Sequence, residues 1–389
     1  MSTARAWELP WDMQTVPHAV IDVIRGCNIT CRTCCNDPVT ETKALADIEA
    51  ELDQLLRLRK LSSIALMGGE VLMHPEALDI VRLVKGRGLH VEVCTNGVLL
   101  DEAKAAALVD AGADVVYLHI EQGQGRPDLA TDAGPDDVAA LRAEKAALSA
   151  AAGLDVGLSM TAFSERSPEL LDIVRFALHD PHVNWLLVTL YRDVQGLERV
   201  DGDLYEGMRG SSRVEIERYR SRYLDNARIA AFLDEELGLV PFGKLGSQRD
   251  PDDLRWLSYM VATSDIGPAT VHHALGPSLF ERGALWLLWR MQGRFPMYQA
   301  QGAFQLRVQL LLNSILGGRL LANLGFLLRT LFSPRMRTKR LLFQNPAALE
   351  PDGSVVHCRC CPAAVLKDGR LIPVCIMDRI NPPSEAPSA

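Results

Sequence analysis

Three cysteines, Cys27, Cys31 and Cys34, stand within eight residues of one another. Thiolates are the side chains that iron–sulfur clusters require, and a cube-shaped cluster held by three of them keeps one iron atom without a protein ligand. Such an iron is a Lewis-acidic position for the amine and the carboxylate of a bound molecule. The spacing therefore predicts a 4Fe-4S site whose open iron takes part in chemistry.

An apolar run at 16–24 leads into these cysteines and is typical of a β-strand. After it, strand-like and helical patterns alternate along the chain. The predicted strands are 16–24, 62–67, 89–94, 114–120, 154–161 and 184–191, and the predicted helices are 43–59, 75–87, 101–111, 135–151 and 168–179. About six β/α units predict an α/β fold with a parallel sheet that curves into a partial (β/α)6 TIM-like barrel.

Two further segments follow the next two predicted strands. Gly68-Gly69-Glu70 comes after the second strand, and Thr95-Asn96-Gly97 comes after the third. Because the carboxyl ends of parallel strands meet at one edge, all three segments are expected together. This combination resembles the radical S-adenosylmethionine (radical SAM) superfamily, whose signature is three cysteines at this spacing after the first strand and a GGE-type segment after the second. The resemblance covers roughly 16–191.

The resemblance implies that Cys27, Cys31 and Cys34 ligate a 4Fe-4S cluster that binds S-adenosylmethionine. It implies that the cluster passes one electron into the sulfonium and that a 5′-deoxyadenosyl radical then abstracts hydrogen from the substrate. A reduced flavodoxin or ferredoxin is the expected electron donor. The expected cofactor-binding residues are Gly68, Gly69 and Glu70 at the methionyl amine, Thr95 and Asn96 beside them, and Glu121 and Ser159 at the ribose or methionyl carboxylate. For Glu121 and Ser159, a solvent-facing strand end is an equal alternative.

Other interpretations exist for each motif taken alone. The cysteines could form a structural zinc loop, Gly68-Gly69 a tight turn, and Asn96-Gly97 a hairpin-type turn. The residue before the third cysteine is Thr33, where family members often carry an aromatic side chain near the adenine. Cys35 and Cys94 are predicted to be packing residues.

A second cysteine group lies near the end of the sequence. Its members are Cys358, Cys360, Cys361 and Cys375. A turn at 367–370 predicts a hairpin that returns Cys375 to the other three. Some radical SAM enzymes carry an auxiliary 4Fe-4S cluster in such an extension, and Cys358, Cys361 and Cys375 are the favoured ligands, with Cys360 as the fourth or as a bystander. A four-thiolate zinc site is the alternative.

The 389 residues are 48% hydrophobic, which is ample for a large core, and the net charge is −8. The charge is uneven, because 282–348 holds ten Arg or Lys residues and no Asp or Glu. Such a segment favours contact with an anionic surface. Its bases alternate with Leu rather than with stacking aromatics, so no nucleic-acid partner is expected. No secretory signal precedes 14, and a cytoplasmic protein is expected.

Between 304 and 332 apolar residues recur at near-helical spacing, interrupted by arginines and by Gly317-Gly318. No uncharged run is long enough for a membrane span. The pattern suits amphipathic helices at the inner face of a membrane or around a hydrophobic substrate, and Arg335, Arg337, Lys339 and Arg340 could meet anionic lipid head groups. An ordinary buried helical subdomain with a basic rim is an equal alternative.

Together these patterns predict four parts: a radical SAM core at 14–192, a helical substrate or membrane-contact region at 193–345, a small cysteine-rich auxiliary-cluster region at 346–381, and a disordered tail at 382–389. The predicted reaction is hydrogen abstraction from a hydrophobic or lipid-like substrate. Maturation of a ribosomal peptide and tailoring of a small natural product are the alternatives. A non-enzymatic, zinc-stabilised scaffold that docks at membranes is a hypothesis of another class. The sequence assigns no catalytic side chain.

Overall fold

A computed structural model of the chain describes residues 3, 6–31, 34, 40–164, 166–191, 224–266, 269–297, 303–316, 320–333, 335–349 and 355–377. Predictions for Thr33, Cys35, Gly317-Gly318, the 192/193 boundary and the tail at 382–389 fall outside these residues.

Six parallel strands form one side of one large sheet, as the β/α alternation predicts. They are β2 (His18–Ile24), β3 (Ser63–Gly68), β4 (His90–Thr95), β5 (Val115–His119), β6 (Asp155–Ala162) and β7 (Val183–Leu190). The helices between them are α1 (Leu45–Leu58), α2 (Ala77–Gly86), α3 (Glu102–Ala111), α4 (Pro135–Ala152) and α5 (Pro168–His179). Each strand pairs in parallel with its neighbour along the chain. The partial α/β barrel is confirmed.

Local sequence explains where several helices begin and end. The Asp101 side chain accepts from the Lys104 amide at the start of α3, and Ser167 does the same for Leu170 at α5. Gly112 ends α3 in the left-handed conformation that glycine tolerates best. Apolar residues of α1 and α2, including Ile48 and Ile80, pack against the strands in one buried core. This packing fixes the strand ends that follow each helix.

The region predicted as helical at 193–345 also contains strands that widen the sheet. Its strands are β8 (Gly243–Leu245), β9 (Trp256–Ile266), β10 (Ala269–Leu275) and β11 (Met336–Gln344), and its helices are α6 (Asn226–Leu237), α7 (Leu279–Gln292), α8 (Ala303–Leu316) and α9 (Leu320–Arg329). The sheet order is β1-β8-β9-β11-β7-β6-β5-β4-β3-β2, where β1 is Trp7–Glu8, and β10 pairs with β9. The prediction of a helical region at 193–345 is therefore incomplete. Strand β11 of this region pairs in parallel with β7, although the two strands are far apart in sequence.

The C-terminal residues pack on β2 and β3, at one edge of the sheet. Short pairs are formed by β12 (Ala348–Leu349) with β13 (Val355–Val356), and by β14 (Ala364–Lys367) with β15 (Arg370–Pro373). Val365 and Met377 share a buried cluster with Val20 and Ala65 of β2 and β3. The cysteine-rich part thus belongs to the sheet's own core. No helix in the described part of the chain has the length and apolar character needed to cross a bilayer.

The prediction that Lys339 contacts anionic lipid head groups is wrong, because its side chain is buried. Its ammonium donates to the backbone carbonyl of Asp180 at 2.5 Å and to that of Val183, which ties β11 to the start of β7. Arg337 pairs with Asp265 at 3.3 Å. Arg337 and Lys339 share one face of β11, while Arg340 faces the other side and donates to the Met297 carbonyl at 2.7 Å. The bases of this strand therefore bind protein groups and do not form one surface.

Replacing Lys339 with methionine is expected to alter how stability depends on pH. Burial lowers the pKa of Lys339 to about 8, below the ordinary lysine value of 10.5. The unfolded chain binds this proton more tightly than the folded protein does. The wild-type free energy of unfolding therefore increases as pH rises from about 8 to 10.5. Urea unfolding across this window should show the gain, on the order of 1–3 kcal/mol, in wild type but not in Lys339→Met. Equal pH profiles would contradict the buried lysine.

Candidate functional site

The carboxyl ends of β2, β3 and β4 bring the predicted motifs to one edge of the sheet. Ile24 at the end of β2 is level with Gly68 at the end of β3. The chain continues from β2 into the loop that carries Cys27, Cys31 and Cys34. The Gly68-Gly69-Glu70 and Thr95-Asn96 segments lie beside this loop, as the contacts below show. We call 25–34 the cysteine loop; the structure describes it except at 32 and 33.

Gly68 and Gly69 allow the end of β3 to touch the entry to the cysteine loop. The Gly69 amide donates to the Ile24 carbonyl at 2.6 Å, and the Glu70 amide donates to the Gly26 carbonyl at 2.9 Å. A Cβ atom on Gly68 would lie 2.0 Å from the Ile24 oxygen, and one on Gly69 would lie 2.1 Å from the Gly26 oxygen. Both glycines are therefore required by backbone contact, whatever their part in binding the methionyl amine, which stays a prediction.

Glu70 is fully buried and supports the segment that follows β4. Its carboxylate accepts from the Leu72 amide at 2.9 Å, the Thr95 hydroxyl at 2.7 Å and the Asn96 amide at 2.7 Å. Burial raises the pKa of the Glu70 carboxyl, although these donors oppose the shift. Both carboxylate oxygens thus already accept protein hydrogen bonds. Contact between Glu70 and a ligand ammonium stays a prediction.

Asn96 contacts the cysteine loop directly. Its side-chain nitrogen donates to the Asn28 side-chain oxygen at 2.7 Å and lies 3.7 Å from the Cys27 sulfur. Its side-chain oxygen accepts from the Val98 amide at 2.9 Å. A donor beside a thiolate stabilises the negative charge on sulfur, so Asn96 suits a position next to a cluster ligand.

The loop after β5 supplies two residues that sequence analysis missed. The Gln124 carbonyl accepts from the Thr30 amide of the cysteine loop at 3.0 Å. The buried Arg126 guanidinium donates to the Asn96 carbonyl at 2.9 Å and to the Gln124 side-chain oxygen at 2.8 Å, and it pairs with Asp128 at 2.7 Å. The available signal was a polar, glycine-containing stretch directly after a strand of the same sheet edge.

His119 and Glu121 form a pair at the end of β5. The His119 ring nitrogen lies 3.1 Å from the Glu121 carboxylate, which also accepts from the Thr161 amide. Burial alone would lower the pKa of His119, but Glu121 and the Cys31 thiol beside it raise that pKa to about 10. Ser159 lies opposite His119 on β6 and is half-buried. Glu121 and Ser159 therefore share an edge, and their contacts with S-adenosylmethionine stay a prediction.

The donor set of the cysteine loop fits an iron–sulfur cluster. Cys27 and Cys34 are exposed, Cys31 is half-buried, and no disulfide involves any of the eight cysteines that the structure describes. Among the described residues, no three His, Cys, Asp or Glu side chains converge on a position for one metal ion. In a cube-shaped cluster each thiolate binds a different iron, so its ligands lie farther apart than those of a single ion.

Three members of the second cysteine group, Cys358, Cys360 and Cys361, are buried near Trp256, Trp11 and Arg59, and Cys375 is half-buried. The Trp256 ring nitrogen donates to Cys358 at 3.1 Å, and the Cys360 thiol lies 3.4 Å from the Trp11 carbonyl. The hydrogen bond between Cys361 and Cys358 lowers the pKa of Cys358 and raises that of Cys361. Arg59 interacts electrostatically with Cys360 and Cys361.

The predicted hairpin of β14 and β15 is present in the structure. The Val374 amide donates to the Ala363 carbonyl at 2.9 Å, which returns the chain to the cysteine group. The Cys375 sulfur accepts from the Ala347 amide at 3.3 Å. The turn at 367–370 thus acts as the sequence predicts, whereas ligation of a cluster or zinc by these four cysteines stays a prediction.

Comparison with known proteins matches residues 21–177 to the radical SAM superfamily. The GTP 3′,8-cyclase of Chlorobaculum tepidum is 38% identical over 112 residues, which are 28% of this chain and 34% of that protein. The PqqA peptide cyclase of Gluconobacter oxydans is 30% identical over 167 residues, which are 40% of this chain and 44% of that protein. The aligned part therefore spans less than half the length of these curated relatives.

Solved structures resemble the chain more distantly. Streptococcus suis SuiB bound to S-adenosylmethionine has a TM-score of 0.38 and 16% identity, over 56% of this chain and 50% of that one. A tagged form of anSMEcpe with bound AdoMet has a TM-score of 0.35 and 18% identity, over 44% of this chain and 50% of that one.

Proposed function

We propose that this chain, which belongs to the radical SAM superfamily through residues 21–177, is an enzyme that cleaves S-adenosylmethionine reductively. Cys27, Cys31 and Cys34 would hold the 4Fe-4S cluster. When reduced by a flavodoxin or ferredoxin, this cluster would supply one electron to the sulfonium, and cleavage of the C5′–S bond would release methionine and the 5′-deoxyadenosyl radical. That radical takes a hydrogen atom from the substrate. The observation that carries the proposal is the convergence of the cysteine loop with the glycines after β3 and Asn96 after β4.

The chain's own residues position the methionyl group and the nucleoside. The Gly68-Gly69-Glu70 segment binds the methionyl amine, and Glu121 and Ser159 bind the ribose or the carboxylate. Thr95 and Asn96 hold the cysteine loop in position beside the end of β4. What supports these roles is that these residues lie at the carboxyl edge of neighbouring strands, where parallel α/β proteins collect their ligands.

The second cysteine group is proposed to hold an auxiliary 4Fe-4S cluster. Cys358, Cys361 and Cys375 are the ligands, and Cys360 is the fourth ligand or a bystander. Support comes from the burial of Cys358, Cys360 and Cys361 in a group beside Arg59, whose charge would offset part of the negative charge of thiolates. Four thiolates would also suit zinc, so metal analysis decides between the two.

The substrate is proposed to be hydrophobic and lipid-like. The support is a set of large apolar side chains exposed on α7, α8 and α9, together with the excess of basic residues at 282–348. Such a substrate resides in a membrane, so the proposal includes peripheral association with an anionic membrane surface at its inner face. A peptide substrate is the second candidate, favoured by the 30% identity to a PqqA peptide cyclase. Tailoring of a small natural product is the third.

The test is iron and sulfide content after anaerobic reconstitution, combined with formation of 5′-deoxyadenosine from S-adenosylmethionine and dithionite. With two clusters, wild type should hold about eight irons, and Cys27→Ala/Cys31→Ala/Cys34→Ala about four. Only wild type should form the nucleoside. Cys94→Ala, which removes a strand thiol, is the matched control and should behave as wild type. Zinc in place of iron, with no nucleoside from wild type, would refute the proposal and favour the zinc-stabilised scaffold.

The same variants report on the auxiliary cluster. Cys358→Ala/Cys361→Ala should lower the iron content by about four while the signal of the first cluster remains. Wild type with about four irons, all lost in the Cys27→Ala/Cys31→Ala/Cys34→Ala variant, would remove the auxiliary cluster and leave the enzyme. Transfer of deuterium from a labelled lipid or peptide into 5′-deoxyadenosine would then identify the substrate class.

A further inference from the structure

Helices α7, α8 and α9, and the turn that follows α9, expose large apolar side chains to solvent. The exposed fraction is 93% for Phe332, 85% for Leu321, 77% for Phe304 and 74% for Met291. Other exposed apolar residues of the same layer are Leu279, Trp286, Leu311, Ile315, Leu328 and Leu331. We call these ten residues the apolar face. On α8, positions 304, 311 and 315 follow helical periodicity, so they form one stripe rather than scattered contacts.

The interior of this layer contains polar side chains. Glu281 of α7 is buried, and its carboxylate accepts from the Gln309 amide and, at 3.0 Å, from the Asn313 amide, both on α8. The Asn323 side-chain oxygen of α9 lies 2.7 Å from the His273 ring nitrogen. Buried polar groups need such partners, and here α7, α8 and β10 supply most of them.

The layer exposes more apolar surface than helices that face water usually do. A surface helix in water buries its apolar stripe and exposes its polar side chains. Helix α8 buries Leu306 and Leu310 together with Gln309 and Asn313, and it still leaves Phe304 exposed. Large exposed apolar patches mark surfaces that meet another apolar phase.

The charged residues of these helices indicate which kind of partner the apolar face binds. Arg290, Arg329 and Arg335 are exposed, and Glu281 is the only acidic residue of α7, α8 and α9 and is buried. The surface thus offers positive charge without an exposed carboxylate in these helices. A second copy of the chain would bring arginines against arginines, which opposes self-association through this face. Anionic lipid head groups above acyl chains match both the arginines and the apolar side chains.

We propose that the apolar face docks on an anionic lipid bilayer, with its apolar side chains at the boundary of head groups and acyl chains and Arg290, Arg329 and Arg335 at lipid phosphates. The helices lie on the membrane and do not cross it. The inference rests on the membrane-association part of the proposed function and not on its radical chemistry.

The test is co-sedimentation of the full chain with vesicles of phosphatidylcholine, with or without phosphatidylglycerol. Wild type should bind the mixed vesicles, and added salt should weaken binding. Leu321→Ser/Phe332→Ser should lower the partition coefficient on the order of a hundredfold, because two large apolar side chains no longer leave water. Met13→Ser/Leu58→Ser, which changes exposed apolar residues outside α7, α8 and α9, is the matched control and should bind as wild type.

Charge reversal separates the two contributions. Arg290→Glu/Arg329→Glu should lose the preference for phosphatidylglycerol while binding to phosphatidylcholine alone is unchanged. Circular dichroism of each variant checks the fold.

Three results would overturn the proposal. The first is absence of vesicle binding by wild type, and the second is binding by Leu321→Ser/Phe332→Ser equal to that of wild type. The third is a wild-type dimer that becomes monomeric in this double variant, which would show that the apolar face binds a second copy of the chain. Because 5′-deoxyadenosine can be measured without vesicles, loss of docking and loss of the radical function are distinguishable.

Discussion

Replacing Gly69 with alanine should leave the cysteine loop unable to retain its cluster. The added Cβ would lie 2.1 Å from the Gly26 carbonyl oxygen and 2.5 Å from that of Arg25. Both oxygens belong to backbone that leads into Cys27, so the loop must move by more than a side chain can absorb. We expect the loss of about four irons per chain after reconstitution, with no nucleoside formed.

Gly86→Ala is the control for this substitution. Gly86 ends α2, and a Cβ atom there meets nothing within 4 Å. This variant should keep the iron content and the nucleoside yield of wild type, with equal or slightly higher stability. Retention of a full first cluster by Gly69→Ala would contradict the close approach of β3 to the cysteine loop.

Arg126→Met should loosen the cysteine loop and lower stability together. The guanidinium joins the Asn96 carbonyl to Gln124, and Gln124 in turn holds Thr30. Removing one partner of a buried charged group leaves the others without compensation, which costs about 3 kcal/mol. We expect that loss in anaerobic urea unfolding of the cluster-free protein, and a lower iron content after reconstitution.

An exposed arginine provides the comparison for Arg126. Arg82 pairs with Asp79 at 2.7 Å, with both side chains more than half exposed. Arg82→Met should change the free energy of unfolding by less than about 1 kcal/mol and should bind iron as wild type does. If Arg126→Met had the same free energy of unfolding and the same iron content as Arg82→Met, the prediction that Arg126 stabilises the cysteine loop would be wrong.

Local patterns carried most of the information about the barrel. The strand predicted at 89–94 is β4 (His90–Thr95), and the helix predicted at 168–179 is α5 (Pro168–His179). Such elements follow from hydrophobic periodicity and from caps such as Ser167, which act within a few residues. The shared edge of the first three motifs followed from parallel pairing, which the β/α alternation already implied.

Pairing between distant segments is what the sequence did not reveal. The strand β11 carries Arg337, Lys339 and Arg340, so it was interpreted as a basic surface rather than as a partner of β7. Arg126 was missed because its role depends on the Asn96 carbonyl of another loop, and no local pattern encodes that contact. The exposure of Phe304 and Ile315 on α8 was also not predicted, because periodicity identifies two faces without stating which one meets the sheet.

The packing of Val365 and Met377 against Val20 and Ala65 has a consequence for biosynthesis. When β2 and β3 leave the ribosome, the residues that complete this side of their core have not yet been translated. Contacts of such long sequence separation form late, and the uncovered apolar strands are open to aggregation until then. We therefore expect this side of the sheet to be completed only after 365 and 377 have been translated, and a nascent chain that pauses before 355 to leave Val20 and Ala65 uncovered.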